Sequence, residues 1–291
     1  MSDLLSFAKY EAVGNDFIIV EDLGNEFQIT AEQASSLCDR WFGVGADGLI
    51  RVTRGTVAPY AMGLTNADGS HAEMSGNGIR CLAGYLHDTG RVDDESFDVE
   101  TPAGIRRVSL EIGGGSVTGA TVSMGAPIFA KSAIPMRGPA WETFLGQPFD
   151  IGGGVTATAS AISIGNPHLV LFVDEDPERF HLEHLGPMLE RHELFPERTN
   201  VELARIGSDG AIEVRVWERG VGETLSCGTG ACAVVVAANE TGIAGPDAAV
   251  RFRGGTLRVE RAEDGQVLLA GPLTHVFDGT VNLSKLGEDA G

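Results

Sequence analysis

Residues 222–235 read GETLSCGTGACAVV, and residues 69–85 read GSHAEMSGNGIRCLAGY. In both stretches a small residue with a nucleophile-type side chain, Cys227 or Ser75, precedes a Gly-X-Gly, and an apolar segment with helical spacing follows. Cys227 and Ser75 are 152 residues apart. Each stretch therefore predicts a loop that turns into a helix, at the same place in two similar halves of the chain.

A second pair of stretches supports this internal repeat. Residues 14–20 read GNDFIIV and residues 165–171 read GNPHLVL, in both cases a Gly-Asn followed by an apolar, strand-like run. Asn15 and Asn166 are 151 residues apart, which agrees with the first offset to one residue. The agreement predicts that the halves arose by duplication and fold as similar units.

Short alternating apolar stretches surround these motifs and read as many short strands. They are residues 97–100, 107–112, 117–124, 212–217 and 257–260, with glycine-rich breaks at 113–115 and 152–154. We therefore expect an α+β fold of two pseudo-symmetric domains, each a curled, mostly antiparallel, barrel-like sheet around a central helix. The expected domains are residues 1–128 and 129–265, with 266–291 packing back on the first, and the expected active site lies in the cleft between them.

Charge and hydropathy exclude several classes of function. The chain has 21 Lys and Arg against 41 Asp and Glu, so its surface should repel nucleic acid and anionic membranes. The longest apolar run, residues 231–238, is too short to cross a bilayer. The first 17 residues include Asp3, Glu11 and Asp16 and have no continuous apolar stretch, so no secretory signal is expected. A cytoplasmic protein that binds neither nucleic acid nor membrane is predicted.

The two helix starts suggest a chemistry. Glycines let a ligand approach the backbone, and the unpaired N–H groups of a first helical turn, with the helix dipole, favour an anion such as a carboxylate. A cysteine at that place should have its pKa lowered toward neutrality, so Cys227 is expected to act as a base. The alternative is that Cys227 is a small buried residue. Cys81 and Cys232 are expected in the core.

Other polar residues give weaker signals. The spacing of Cys227 and Cys232 matches no common zinc motif, and His181 and His184 are better explained as an exposed helix face than as metal ligands. Glu218 and the adjacent Arg219 could bind the ammonium and carboxylate of a zwitterion, or form a surface ion pair. Asn66, Asn166 and Asn200, taken singly, are typical of turns.

Six motifs taken together resemble diaminopimelate epimerase, in order and over nearly the whole chain. They are GNDF (14–17), NADGS (66–70), GNGIRC (76–81), GNPH (165–168), RTNV (198–201) and WERGVGET through CGTG (217–230). The resemblance implies an isomerase that interconverts LL- and meso-2,6-diaminopimelate by two-base proton transfer at the α-carbon, on the route to lysine and peptidoglycan precursors. It implies no cofactor, no metal and a homodimer.

The resemblance also implies roles for particular residues. Those expected to hold the substrate are Asn15, Asn66, Asn166, Asn200, Glu218 and Arg219, and the backbone of Gly76, Asn77, Gly228 and Thr229 would bind the reacting carboxylate. His168 and Glu218 would flank the acid/base pair. The family usually has a glutamine where this chain has Gly48, which leaves one substrate contact open.

The largest departure from the family pattern is Ser75, which stands where the resemblance implies the first of two catalytic cysteines. A hydroxyl is a far poorer acid and base near neutral pH than a thiol. Three explanations remain open: an engineered substitution, a natural variant that still epimerises slowly, or divergence to a one-base reaction. The alternative functions are a proline racemase-like dehydratase and a non-catalytic amino-acid-binding relative.

Overall fold

A computed structural model describes residues 4–283 and divides the chain into two compact units. Of the described residues, unit 1 comprises 4–122 and 271–283, and unit 2 comprises 123–270. Of the C-terminal segment predicted to pack back on the first half, residues 284–291 lie outside the described residues, as do residues 1–3.

The strands and helices are numbered along the whole chain. The first group of strands is β1 (Leu4–Ala12), β2 (Asn15–Glu21), β3 (Gly48–Arg54), β4 (Tyr60–Asn66), β5 (His71–Ala72), β6 (Ser96–Thr101), β7 (Gly104–Gly113) and β8 (Ser116–Gly125). The second group is β9 (Phe144–Gly152), β10 (Val155–Ser163), β11 (Pro167–Phe172), β12 (Asn200–Ile206), β13 (Ile212–Glu218), β14 (Gly222–Thr224), β15 (Asp247–Phe252), β16 (Gly255–Arg261), β17 (Val267–Pro272) and β18 (Thr274–Asn282). The α-helices are α1 (Ala31–Cys38), α2 (Gly76–Asp88), α3 (Leu182–Glu190) and α4 (Gly228–Glu240).

Unit 1 is a curled sheet around helix α2. Strand β1 pairs antiparallel with both β18 and β2, so the C-terminal strand of the described chain completes the N-terminal unit. The pairing then continues from β2 to β3 in parallel, from β3 to β4 antiparallel, from β4 to β6 in parallel, and through β7 to β8 antiparallel. Helix α2 contacts β1, β2, β3, β4, β7 and β18, which places it inside the curl.

Unit 2 repeats this pairing with other strands. Its order runs β9, β10, β11, β12, β13, β15 and β16 to β17, with the parallel pairs β11–β12 and β13–β15 at the equivalent places. Helix α4 contacts β9 to β13, β15 and β16, and its residues 228–238 are all buried. A helix that is apolar all round is expected where strands surround it. The predicted α+β class, with a mostly antiparallel curled sheet around a central helix in each half, is confirmed.

The predicted strand stretches and glycine-rich breaks are also confirmed. Gly114 and Gly115 link β7 to β8 with φ of +61° and +86°, and Gly153 and Gly154 link β9 to β10 with φ of +65° and +80°. Positive φ at both central residues is the requirement of a type I′ hairpin turn, which glycine meets without steric cost. In both hairpins the strand register shifts close to the turn, between Glu111 and Ile112 in the first and between Val155 and Thr156 in the second.

Candidate active site

Ser75 and Cys227 occupy the same structural position in the two units. Each is the N-cap residue of the central helix, with φ and ψ of −143° and 114° at Ser75 and of −137° and 118° at Cys227. Both lie at the end of the short segment that follows β5 or β14. The repeat read from the sequence therefore corresponds to equivalent backbone geometry, with the first-turn N–H groups of each helix directed toward its N-cap.

In unit 2, the Cys227 thiol lies among polar side chains from three strands and its own helix. Its Sγ donates to Glu218 Oε2 at 3.3 Å and lies 3.4 Å from Thr229 Oγ1. Glu218 is at the end of β13, where Thr224 Oγ1 donates to its other oxygen at 2.6 Å. Cys227 is 5% exposed. The thiol thus has a carboxylate within reach to receive its proton.

The pKa of Cys227 is shifted opposite to the expectation from its helix position. Burial, and then the negative charges of Glu218 and Glu202, raise the pKa of Cys227 well above its ordinary value. Burial also raises the pKa of Glu218. The expectation that the helix start would bring the thiol to neutrality was wrong, because the desolvated site and its two carboxylates outweigh the field of the helix. The resting form of Cys227 is the thiol.

His168 lies on β11, fully buried, and connects to Cys227 through two other side chains. Its Nδ1 is 2.6 Å from Glu202 Oε1, and its Nε2 is 2.9 Å from Asn166 Oδ1. Asn166 Nδ2 in turn donates to Thr229 Oγ1 at 3.3 Å. The structure thus brings the predicted residues Asn166, His168, Thr229, Glu218 and Cys227 together.

Two other predicted residues of unit 2 have different surroundings. Asn200 is buried and uses its side chain on the backbone, donating to Pro167 O at 2.9 Å and accepting the N–H of Arg219 at 2.8 Å. It therefore ties the start of β11 to the end of β13. The side chain of Arg219 is exposed, just beyond β13, where a guanidinium could meet a carboxylate of a ligand.

Glu202 was missed by the sequence reasoning. It lies on β12, is fully buried, and its charge is among the causes that raise the pKa of Cys227. The available signal was a glutamate between Val201 and Leu203 in a largely apolar strand. A glutamate that is buried in such a strand is expected to have a partner, which makes it a candidate functional residue. Its partner His168 could not be found from sequence, because the contact depends on the parallel pairing of β11 with β12.

In unit 1, Ser75 is a helix cap with a conventional hydrogen bond. Its Oγ accepts the N–H of Gly78 at 3.0 Å, which satisfies one of the free donors of helix α2. Two predicted ligand residues lie close together, since Asn77 Nδ2 donates to Asn15 Oδ1 at 3.2 Å. The buried Arg80 donates to Asn77 Oδ1 at 2.8 Å.

The remaining predicted residues of unit 1 make local contacts. Asn15 Nδ2 donates to Asp47 Oδ2 at 2.6 Å, and Asn66 Nδ2 donates to Ser70 Oγ at 3.0 Å. At Gly48, a side chain would bring its Cβ to 3.0 Å from both Leu64 Cδ1 and Thr65 O. A glutamine at that position would therefore require its neighbours to move.

The other cysteines and histidines behave as expected from the sequence. Cys81 and Cys232 are fully buried, and burial raises the pKa of Cys81 to about 12. His181 and His184 are exposed. Among the described residues, no group of three or more His, Cys, Asp or Glu side chains is placed to hold a metal ion. None of the helices in residues 4–283 combines the length and apolar character that a membrane span requires.

Comparison with known proteins identifies the family of the chain. The family model described as diaminopimelate epimerase matches residues 7–130 and 160–276. The chain belongs to the diaminopimelate epimerase family. A diaminopimelate epimerase from Leptospira biflexa is 39% identical over 280 residues, covering 96% of this chain and 99% of the relative. One from Desulfitobacterium hafniense is 42% identical over 280 residues, covering 95% and 98%.

Solved structures show the same fold at lower identity. A probable proline racemase from Agrobacterium radiobacter aligns with a TM-score of 0.71 and 17% identity, covering 98% of this chain and 94% of that one. A hydroxyproline epimerase from Agrobacterium vitis aligns with a TM-score of 0.69 and 16% identity, covering 96% and 91%. At such identities the likeness establishes the fold alone.

Proposed function

We propose that this chain interconverts LL- and meso-2,6-diaminopimelate by proton transfer at the α-carbon, without a cofactor. The observation that carries the proposal is Cys227 at the start of α4, with its Sγ 3.3 Å from Glu218 Oε2. The choice of substrate rests on family membership, since relatives named diaminopimelate epimerase are about 40% identical over nearly the whole chain. Synthesis of lysine and of peptidoglycan precursors in the cytoplasm is the corresponding setting.

The first step would use the thiol and carboxyl groups of unit 2. Cys227 passes its proton to Glu218, and the resulting thiolate takes the α-proton of the substrate. The raised pKa of Cys227 disfavours a free thiolate, so transfer of its proton to Glu218 has to precede or accompany removal of the α-proton. The first-turn N–H groups after Gly228 would bind the substrate carboxylate, which takes up negative charge as the proton leaves.

Substrate recognition would rely on the polar groups beside the thiol. The exposed guanidinium of Arg219 suits a carboxylate, and the Asn166 amide suits an ammonium or a carboxylate. In unit 1, Asn15, Asn66 and Asn77 offer amides of the same kind. A diamino diacid carries two of each charged group, so several such contacts are needed to select it.

The second step, protonation from the other face, is the one that Ser75 puts in question. Ser75 Oγ accepts the Gly78 N–H as a helix cap, and a hydroxyl remains a far poorer acid than the thiol that the family pattern has at this position. We propose that Ser75 or a water molecule delivers this proton, and that inversion is slow as a result. The strongly basic carbanion makes a poor acid more tolerable as donor than it would be as base.

Solvent deuterium exchange tests the proposal. LL- and meso-diaminopimelate are incubated separately with the protein in D₂O, and loss of the α-proton and formation of the other isomer are followed by NMR. An epimerase exchanges and interconverts both isomers, whereas a one-base enzyme exchanges mainly one, and Cys227→Ala should abolish both signals. If neither isomer exchanged its α-proton, the chain would be a binding protein without catalytic activity. Loss of ammonia from the substrate would indicate a dehydratase.

Two further properties accompany the proposal. The protein is proposed to act as a homodimer on a small-molecule substrate, as the resemblance to the family implies. Light scattering on the purified chain would give a mass near twice 30.6 kDa if this is correct. A monomeric mass would contradict it without affecting the proposed chemistry.

A further inference from the structure

The hydrogen bonds around Cys227 form a chain with one direction. Asn166 Nδ2 donates to Thr229 Oγ1, so Asn166 Oδ1 is the atom that faces His168 Nε2. An amide oxygen only accepts, and therefore His168 Nε2 carries a proton. Since the Thr229 hydroxyl accepts from Asn166, its own proton is free to point at Cys227 Sγ, and the Cys227 proton then points at Glu218.

Glu202 stands at the start of this chain. Its Oε1 is 2.6 Å from His168 Nδ1, so that a single proton lies between the two groups. Among the described residues, Glu202 Oε2 is buried and has no hydrogen-bond partner. A carboxylate that is fully buried with one oxygen unsatisfied is costly to keep, and such a group calls for an explanation beyond packing.

Gly230 brings Glu202 close to Cys227. A side chain at Gly230 would put its Cβ 2.7 Å from Glu202 Oε1 and 3.3 Å from Cys227 Cβ. The second glycine of the Gly-X-Gly thus leaves the space that Glu202 occupies beside the helix start. In unit 1, a Cβ on the equivalent Gly78 would lie 3.3 Å from Ile50 Cδ1, so an apolar side chain fills the matching space there.

We propose that Glu202 is a positioning residue for Cys227, holding the His168 proton that orders the hydrogen-bond chain and keeping the thiol protonated until substrate binds. The role rests on the function proposed above only insofar as Cys227 is the reacting group. The effect of Glu202 on the pKa of Cys227 can be measured without substrate.

The carboxyl groups that act on Cys227 come from two strands. Glu218 on β13 and Glu202 on β12 both raise its pKa, after burial. His168 on β11 is linked to the thiol only through Asn166 and Thr229, and it acts on Glu218, whose pKa it lowers. Glu202 is the member of the hydrogen-bonded Glu202–His168 pair that lies beside Gly230 and Cys227, so removing its charge while keeping its shape should make Cys227 more acidic.

The test is the pH dependence of Cys227 alkylation in the variant Glu202→Gln. Iodoacetamide labelling of the whole protein is followed by fragment mass spectrometry, which separates Cys227 from Cys232. The pH midpoint for Cys227 should fall by about one unit relative to the unchanged chain, and the pH profile of epimerisation should move the same way. The control is Glu190→Gln, which neutralises a buried carboxylate bonded to Trp217 and Gly220 and should leave the midpoint unchanged.

A midpoint that does not move in folded Glu202→Gln would overturn the proposal, because a purely structural role lowers activity at all pH values without shifting the profile. If the variant does not fold, ¹⁵N NMR of His168 in the unchanged protein gives the second measurement. Nε2 must then resonate as a protonated nitrogen, and a lone pair at Nε2 would overturn the proposed order of the chain. A shifted midpoint without epimerisation would instead refute the proposed function and leave the role of Glu202 standing.

Discussion

The two helix starts share a backbone and differ in chemistry. Positions 151 or 152 residues apart are equivalent, and in unit 2 they carry titratable groups that unit 1 lacks. The pairs, with the unit 2 residue first, are Cys227 and Ser75, Glu218 and Asn66, Glu202 and Ile50, and His168 and Phe17. Duplicated folds can therefore keep a geometry while only one copy keeps the groups that move protons.

At a further pair of equivalent positions, unit 1 carries the charged side chain and unit 2 does not. Arg80, fully buried in α2, is the counterpart of Cys232 in α4. Its guanidinium donates to Gly76 O at 3.0 Å, within the first turn that Ser75 caps. The helix start of unit 1 thus has a buried cation, and that of unit 2 has two carboxylates. An anion is favoured at the first and a protonated thiol at the second.

The largest expected effect comes from making the two positions alike. Ser75→Cys should raise the epimerisation rate by about 100-fold, because a well-placed acid/base group of suitable pKa contributes factors of this order. Rates from LL- and meso-diaminopimelate are measured separately. The control for an added thiol is Ser116→Cys, at the exposed first residue of β8. No gain in rate from Ser75→Cys would contradict our account of the departure at this position.

A smaller effect is expected when the ionisation of the two active-site thiols is compared in the Ser75→Cys variant. The thiol at position 75, beside a helix start with the buried Arg80, should ionise at lower pH than Cys227 beside Glu218 and Glu202. At pH 8 its alkylation should be at least about tenfold faster, as read from the two separate peptides. Equal alkylation rates would mean that Arg80, Glu202 and Glu218 do not determine which thiol ionises at lower pH.

The sequence predicts most of the scaffold, because the repeat and the hairpin glycines are local signals. The offset between Ser75 and Cys227 identifies equivalent helix starts without any contact information. The direction of the pKa shift at Cys227 was not predictable, since it depends on the burial of the site and on Glu202, which reaches it across the sheet. The hydrogen bonds of Asn200 to the backbone likewise depend on strands brought together only by folding.

The smallest expected effect concerns the caps themselves. Ser75 Oγ accepts the Gly78 N–H, whereas the Cys227 sulfur is only a weak acceptor for the equivalent Gly230 N–H. Ser75→Ala should therefore destabilise the start of α2 by about 1 kcal/mol, which corresponds to roughly fivefold faster amide exchange at Gly78. Cys227→Ala is the matched variant and should leave exchange at Gly230 nearly unchanged. Equal acceleration of amide exchange in both helices would show that Ser75 and Cys227 cap their helices alike, which would contradict this expectation.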